Sequence, residues 1–267
     1  MKPQYLDWLV SEKTVTTSEG KQIAIYELVI QKDEDVLNSW AKHLREHYCA
    51  DSEIDFLRAG FGLERDEYLR EIKFPDESIR PGPSVRSGDF TEILVADYVQ
   101  YVLDYIVPRT RYDRKVNKNS STMGSDLIGY KCGKKISSND ELIIFEVKAT
   151  SREVTPGSKV RLQKAVDDSN KDVVRLAETL NAVVQRLIDR NDFKEAERVQ
   201  RFQNSSDRPY RKKYAAAAVH SNMSFSKNAL KSVSTLQHTD PELCLIVIHC
   251  DKLMDFIHKM YRRACKC

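Results

Sequence analysis

No stretch of this 267-residue sequence approaches the ~20 consecutive apolar residues that a membrane-spanning helix requires, and its N-terminus has no apolar signal-peptide core. These absences argue against a helical membrane protein and lead to an expectation of a cytoplasmic location. Paired CxxC spacing is also missing. The six cysteines (Cys49, Cys132, Cys244, Cys250, Cys265 and Cys267) are scattered, so free thiols are expected rather than a disulfide framework. The terminal Cys265-Lys-Cys267 run supplies half a zinc site at best. There is no internal repeat and no low-complexity tract. Net charge is slight, 43 basic against 40 acidic residues, so bulk charge names no partner. Any nucleic-acid contact must come from local clusters.

What is present is a soluble, globular composition, 41% hydrophobic and 31% charged. Residues 1–80 read as a small α/β N-terminal region. Ile23–Ile30 is rich in β-branched residues and predicts a strand. Leu37, Trp40, Ala41, Leu44 and Tyr48 recur at helical spacing and predict a helix over 35–48, with a shorter one over 64–72. Pro75 and Pro81-Gly-Pro83 break the pattern and mark the expected boundary with a second domain, 81–267.

In that second region Ile93, Leu94, Tyr98, Tyr101, Val102 and Tyr105 predict a helix over 90–105. A basic connector with Arg109, Arg111, Arg114, Lys115 and Lys118 follows. Next come a short strand opening at Asp126 and an apolar strand, Leu142–Phe145, running into Glu146-Val147-Lys148. Helices are predicted over 159–168, 171–190 and 192–202, strands over 214–220 and 243–249, and a closing helix over 252–263. The order of elements implies an α/β fold, a mixed sheet flanked by helices.

The chemistry concentrates where an acid, a hairpin and acid-x-Lys meet. Side chains two apart on a strand share a face, so Glu146 and Lys148 point together, and antiparallel pairing brings Asp126 alongside. Two carboxylates form a hard-oxygen site for Mg²⁺ or Mn²⁺, which polarises a phosphoryl group and acidifies a bound water. A neighbouring lysine can orient or deprotonate that water and stabilise developing charge. Acid-x-Lys alone is a weak signal, since it starts at Glu19, Glu71, Asp113, Glu146 and Asp192; only the Glu146 instance ends an apolar strand. The plain alternative is a Glu/Lys ladder on a solvated strand end, or an Asp126–Lys148 ion pair.

The wider pattern adds to this. Pro83-Ser-Val-Arg-Ser-Gly-Asp-Phe-Thr-Glu92 opening a helix, Pro108–Asp113, Gly124-Ser-Asp126 and Phe145-Glu-Val-Lys148 resemble the PD-(D/E)xK nuclease superfamily. His43–Tyr48 and Leu57–Gly62 narrow the resemblance to the HamA family, the nuclease subunits of Hachiman anti-phage defence, over roughly 40–250. The resemblance implies a restriction-endonuclease-like fold and a metal-dependent deoxyribonuclease working with a HamB-type helicase encoded nearby. It implies Asp126 and Glu146 as metal ligands, Lys148 as catalytic lysine and Glu92 as first-helix acid, with Gln163 or Lys164 as an accessory group. Ser125 stands where the superfamily often has proline. Asp89 and Glu92 are also explained as acids near a helix N-terminus.

DNA contact is expected from Arg109, Arg111, Arg114 and Lys115 around Tyr112, and from a second cluster including Arg201, Arg208, Tyr210, Arg211, Lys212 and Lys213. Solvated charge runs are the plain alternative. No membrane and no small-molecule cofactor are expected. Two rivals remain: a catalytically silent, nuclease-like DNA-binding or regulatory subunit of a helicase complex, and a zinc peptidase suggested by His43-Leu-Arg-Glu46-His47, the HxxEH pattern. Ordinary helix packing accounts for that pattern, and no downstream helix offers an obvious third ligand.

Overall fold

A computed structural model describes residues 1–151 and 160–267. Its centre is one six-stranded mixed sheet in the order β1 (Leu9–Thr16), β2 (Gln22–Leu28), β6 (Cys244–Cys250), β5 (Arg211–Ser221), β4 (Glu141–Thr150), β3 (Leu127–Lys131). The outer pairs β1–β2 and β3–β4 are antiparallel, and the four inner strands run parallel. Helices α1 (Glu34–Glu46), α2 (Asp51–Ala59), α4 (Gly82–Tyr101) and α9 (Leu253–Ala264) bury one face of the sheet. The other face is covered by α5 (Arg161–Ser169), α6 (Asp172–Asp189) and α7 (Phe193–Gln200). Short helices α3 (Arg65–Tyr68) and α8 (Lys227–Leu230) complete the set among the described residues. This is the mixed α/β sheet flanked by helices that the order of elements implied.

The central strand shows why both layers can close on the sheet. Ala215–Ala218 are all buried, with Ala215 and Ala217 on the α4 side and Ala216 and Ala218 on the α5 side. Small side chains facing alternate ways let helices approach from both faces. The N-terminal 80 residues contribute to the same sheet and core, because β2 pairs with β6 (Ile25↔Val247) and α1 packs on α9 through residues such as Trp40 and Phe256. Strand β1, unforeseen in the sequence, carries a partly exposed burial pattern with Glu12 and Lys13 in its middle, which hides its period.

Pro81-Gly-Pro83, the expected boundary, opens α4. Pro81 caps the helix and Pro83 lies in its first turn, where a missing N–H would have had no intrahelical partner. The helix therefore starts eight residues earlier than its apolar spacing predicts. It stops at Tyr101, short of the expected 105, and Asp104 beyond it has a left-handed φ of 58°. As a result Asp89 lies inside α4, not at its N-terminus. It is buried, accepting from Tyr48 Oη (2.6 Å) and pairing with Lys115. Its capping role is thereby excluded. The expected helix over 159–168 is α5, with Lys159 outside the described residues.

Candidate active site

The β3–β4 hairpin builds the site. Its register, Leu127↔Phe145, sets Asp126 opposite Glu146, and residues directly opposite in an antiparallel pair share a face. The even-numbered residues of both strands, Ile128, Tyr130, Leu142 and Ile144, pack under α5–α7, so Asp126, Glu146 and Lys148 lie on that side. Gly124 supplies the turn before the strand with φ +91°, and a Cβ there would come within 3.0 Å of Thr179 Oγ1 on α6. Asp126 Oδ2 then accepts the Val147 N–H at 2.9 Å, which ties the carboxylate to the start of the Glu146–Lys148 segment.

Glu146 is nearly sealed, its side chain 6% exposed, and pairs with Lys148. Lys148 Nζ also lies 3.2 Å from Asp168 Oδ2 on α5. Burial and then the negative charge of Asp126 push the Glu146 carboxyl up to about 8, against the pull of Lys148. Glu146, Asp126 and Asp168 hold the Lys148 ammonium above its ordinary range despite burial, so it is a cation at neutral pH.

Two further groups complete the cluster. Asp172, at the start of α6, is fully buried, and neither of its oxygens has a hydrogen-bond partner among the described residues. Burial raises it to about 6; the Ser125 hydroxyl, itself 3.2 Å from Thr179 Oγ1, works against that, and the Asp126 charge adds to it. Arg111 stands between the two helical layers, with Nε 3.2 Å from Glu92 Oε2, Nη2 3.5 Å from Asp126 Oδ1 and Nη1 donating to the Ser125 carbonyl. Glu92 also accepts from Tyr112 Oη at 2.6 Å. Burial lifts Glu92 to about 8, with Arg111 opposing and Asp126 and Asp89 adding to the rise.

The donor set suits a hard divalent cation. Asp126 and Glu146 are opposed carboxylates, Asp126 lies 3.5 Å from the Arg111 guanidinium, and the charges of Arg175 and Lys148 only partly offset the burial of Asp172. A carboxyl raised to about 8 by burial and then by a neighbour of like charge is a group that a metal ion would return to its ionised form.

A HamA family model matches residues 3–264. The chain belongs to the HamA family. Membership makes it a protein of Hachiman anti-phage defence. No curated protein matches the sequence.

The other candidate residues divide sharply in this HamA-family chain. Gln163 turns away from Lys148, donating to Asp167 Oδ1 (2.8 Å) and accepting from Ser234 N (2.7 Å), and Lys164 is exposed on the outer side of α5. Asp168, one turn on, is the α5 residue that meets Lys148. Of the basic connector, Arg109 is bound to Asp97 and Gln100, Arg111 to Glu92 and Asp126, and Lys115 to Asp89 in a pair only 6% and 4% exposed. Arg114 is half exposed and reaches Glu53 at 3.0 Å. Arg201 is buried, holding Asp140 and the 137 and 208–209 carbonyls. Arg211 and Lys212 are exposed, and Lys213 pairs with Glu141 at 2.9 Å. Because Arg211 aligns with Glu141, that cluster begins five residues before Glu146 along the sheet, about 16 Å at ~3.3 Å per residue.

Asp172 escaped the sequence reading, although a signal existed. The apolar stripe of α6, continued one turn back from Leu176 and Leu180, reaches 172–173, and the inward position is taken by Asp172 while Val173 is exposed. An acid in a core-facing register position was the clue.

Proposed function

We propose that this protein is a divalent-metal-dependent deoxyribonuclease that hydrolyses phosphodiester bonds in Hachiman defence, in concert with a HamB-type helicase. The observation that carries the reading is the convergence of Asp126 on the Val147 N–H, opposite a buried Glu146 paired with Lys148. Asp126 and Glu146 would hold Mg²⁺ or Mn²⁺, which when bound supplies Lewis acidity toward the scissile phosphate and lowers the pKa of a water.

The chain's own residues account for the remainder. Lys148, kept cationic by Glu146 and Asp126, donates a hydrogen bond to the attacking water or a phosphoryl oxygen and stabilises charge as it develops. In this protonated form it is a poor general base, which narrows the roles open to it. Asp168 orients the ammonium from α5. Arg111, held by Glu92 and the Ser125 carbonyl, reaches the other oxygen of Asp126 and helps to position that carboxylate. Glu92 acts through Arg111 in this arrangement.

A second reading, a silent DNA-binding or regulatory subunit, draws on one feature. Lys148 and Arg111 are each paired with two carboxylates of the chain itself, leaving neither cation unengaged for a phosphate. Plasmid DNA incubated with the protein and Mg²⁺ or Mn²⁺, alone and with the helicase encoded beside it, separates the two. Nicking or linearisation in any arm supports the nuclease; intact DNA in every arm supports the silent subunit.

A further inference from the structure

The sequence raised His43 and His47 as an i, i+4 pair without a third ligand. The fold supplies that third group. Asp97, buried near the C-terminal end of α4, faces α1 so that His43 Nε2 lies 3.0 Å from its Oδ1 and 3.2 Å from its Oδ2. His47 Nε2 is 3.3 Å from His43 Nε2, and all three ligand atoms lie within 4.8 Å of one another.

These contacts cannot all be ordinary hydrogen bonds. His43 Nε2 has a single bonding direction, occupied either by one proton or by one lone pair. If it carries a proton, that proton must be shared between a carboxylate and the His47 nitrogen. If it carries a lone pair, the lone pair faces the carboxylate oxygens. A cation at the centre removes the conflict. Metal–nitrogen bonds of about 2.0–2.1 Å at a tetrahedral angle set donor atoms about 3.3 Å apart, close to the 3.0 and 3.3 Å edges found here.

We propose that His43, His47 and Asp97 form a binding site for one divalent transition-metal ion of the zinc class, separate from the Asp126–Glu146 site. Two borderline imidazole nitrogens beside one carboxylate match such an ion rather than Mg²⁺, which takes oxygen ligands. Asp97 is aimed by Tyr5 Oη, which donates to Oδ2 at 2.5 Å, and by Arg109 Nη2, which donates to Oδ1 at 2.8 Å. Such outer hydrogen bonds fix a ligand's orientation. The fourth position opens on a cleft of about 400 Å³ lined by Glu46, Glu53 and Arg190. The site is not built as a peptidase: Glu46, the residue the pattern would use as base, accepts from Asp51 N at 3.4 Å.

The full chain, stripped of metal with EDTA, would be titrated with Co²⁺ and then Zn²⁺. One equivalent of Co²⁺ should give d–d absorption in the visible, displaced by Zn²⁺. Glu146→Gln should retain it. His47→Asn and Asp97→Asn should bind at least about 10-fold more weakly. No visible band in the wild type, an equal band in His47→Asn, or a thiolate-to-cobalt charge-transfer band overturns the site. If the variants fail to fold, long-range ¹H–¹⁵N spectra of the wild type decide the matter. Zn²⁺ should move the Nε2 resonances of two of the six histidines, and no movement overturns the proposal.

Discussion

The carboxylate of Asp126 accepts the backbone N–H of Val147 at 2.9 Å, so the acid just before one strand is fastened between Glu146 and Lys148 of the next. This bond carries no charge partner of its own. It sets Asp126 against Glu146; burial and then the Asp126 charge raise the Glu146 carboxyl, and in the proposed site a metal ion and Lys148 would relieve that repulsion.

Replacing Lys148 with alanine should therefore lower DNA cleavage by about 10²–10³-fold, the scale for removing one charge-stabilising donor. DNA affinity should be nearly unchanged. Plasmid-nicking rates at saturating DNA, beside anisotropy-based affinity, provide the check. A Lys148→Ala protein that cuts at the wild-type rate would mean the activity lies elsewhere in the chain.

Glu146 and Glu92 give a pH signature. Both are raised to about 8 in the folded, metal-free protein, against ordinary values near 4.5. The unfolded chain then loses these protons first, so the stability the protonated forms contribute is complete below about pH 4.5 and is lost as pH rises toward 8. In EDTA the Tm should fall across that window, and Mg²⁺ should restore part of the loss at pH 8. Glu146→Gln should flatten the dependence. Thermal melts at half-unit pH steps test this, and a Tm that is flat or rising from pH 5 to 8 contradicts it.

Lys115 should behave as a structural residue. It is sealed against Asp89 beside the Tyr48 and Tyr112 rings. Lys115→Ala strands a buried carboxylate and should cost about 3 kcal/mol or more, as broken buried ion pairs do. Denaturant melts measure the loss. The salt dependence of DNA binding should not change in the folded fraction.

Neutralising Arg211, Lys212 and Lys213 together should do the opposite, since these residues lie at the exposed start of β5. Each lost phosphate contact lowers the salt slope by roughly one. Anisotropy titrations at several salt concentrations should show weaker binding and a flatter slope, with cleavage at saturating DNA preserved and stability nearly unchanged. An unaltered slope would remove this cluster from the DNA surface.

Glu146→Ala should abolish cleavage and weaken Mg²⁺ binding. In EDTA its DNA affinity should match or exceed that of the wild type, because a carboxylate facing phosphate has been removed. Anisotropy in EDTA beside Mg²⁺ titration checks both halves, and an affinity drop in EDTA counts against Glu146 facing the phosphate.

The sequence by itself determined most of the elements, though not β1 or α2, and the grouping of the candidate site's first residues. Strand and helix periods are local, so β4, α1 and α6 were legible, and the two-residue repeat of a strand was enough to join Glu146 to Lys148. The hairpin added Asp126 because antiparallel register follows from a short connection. Tertiary structure decided the rest. The pairing of β2 with β6 joins residues more than 200 apart, and no local period announces it. Charged residues were the least readable. Arg109, Arg111 and Lys115 look like a phosphate-binding run in one dimension, yet each is taken by a carboxylate from α4, with Asp126 also claiming Arg111. The third partner of His43 and His47, Asp97, is some fifty residues away. A charge shows its role only through what stands beside it when buried, because a buried charge must find a partner and the chain alone does not say which.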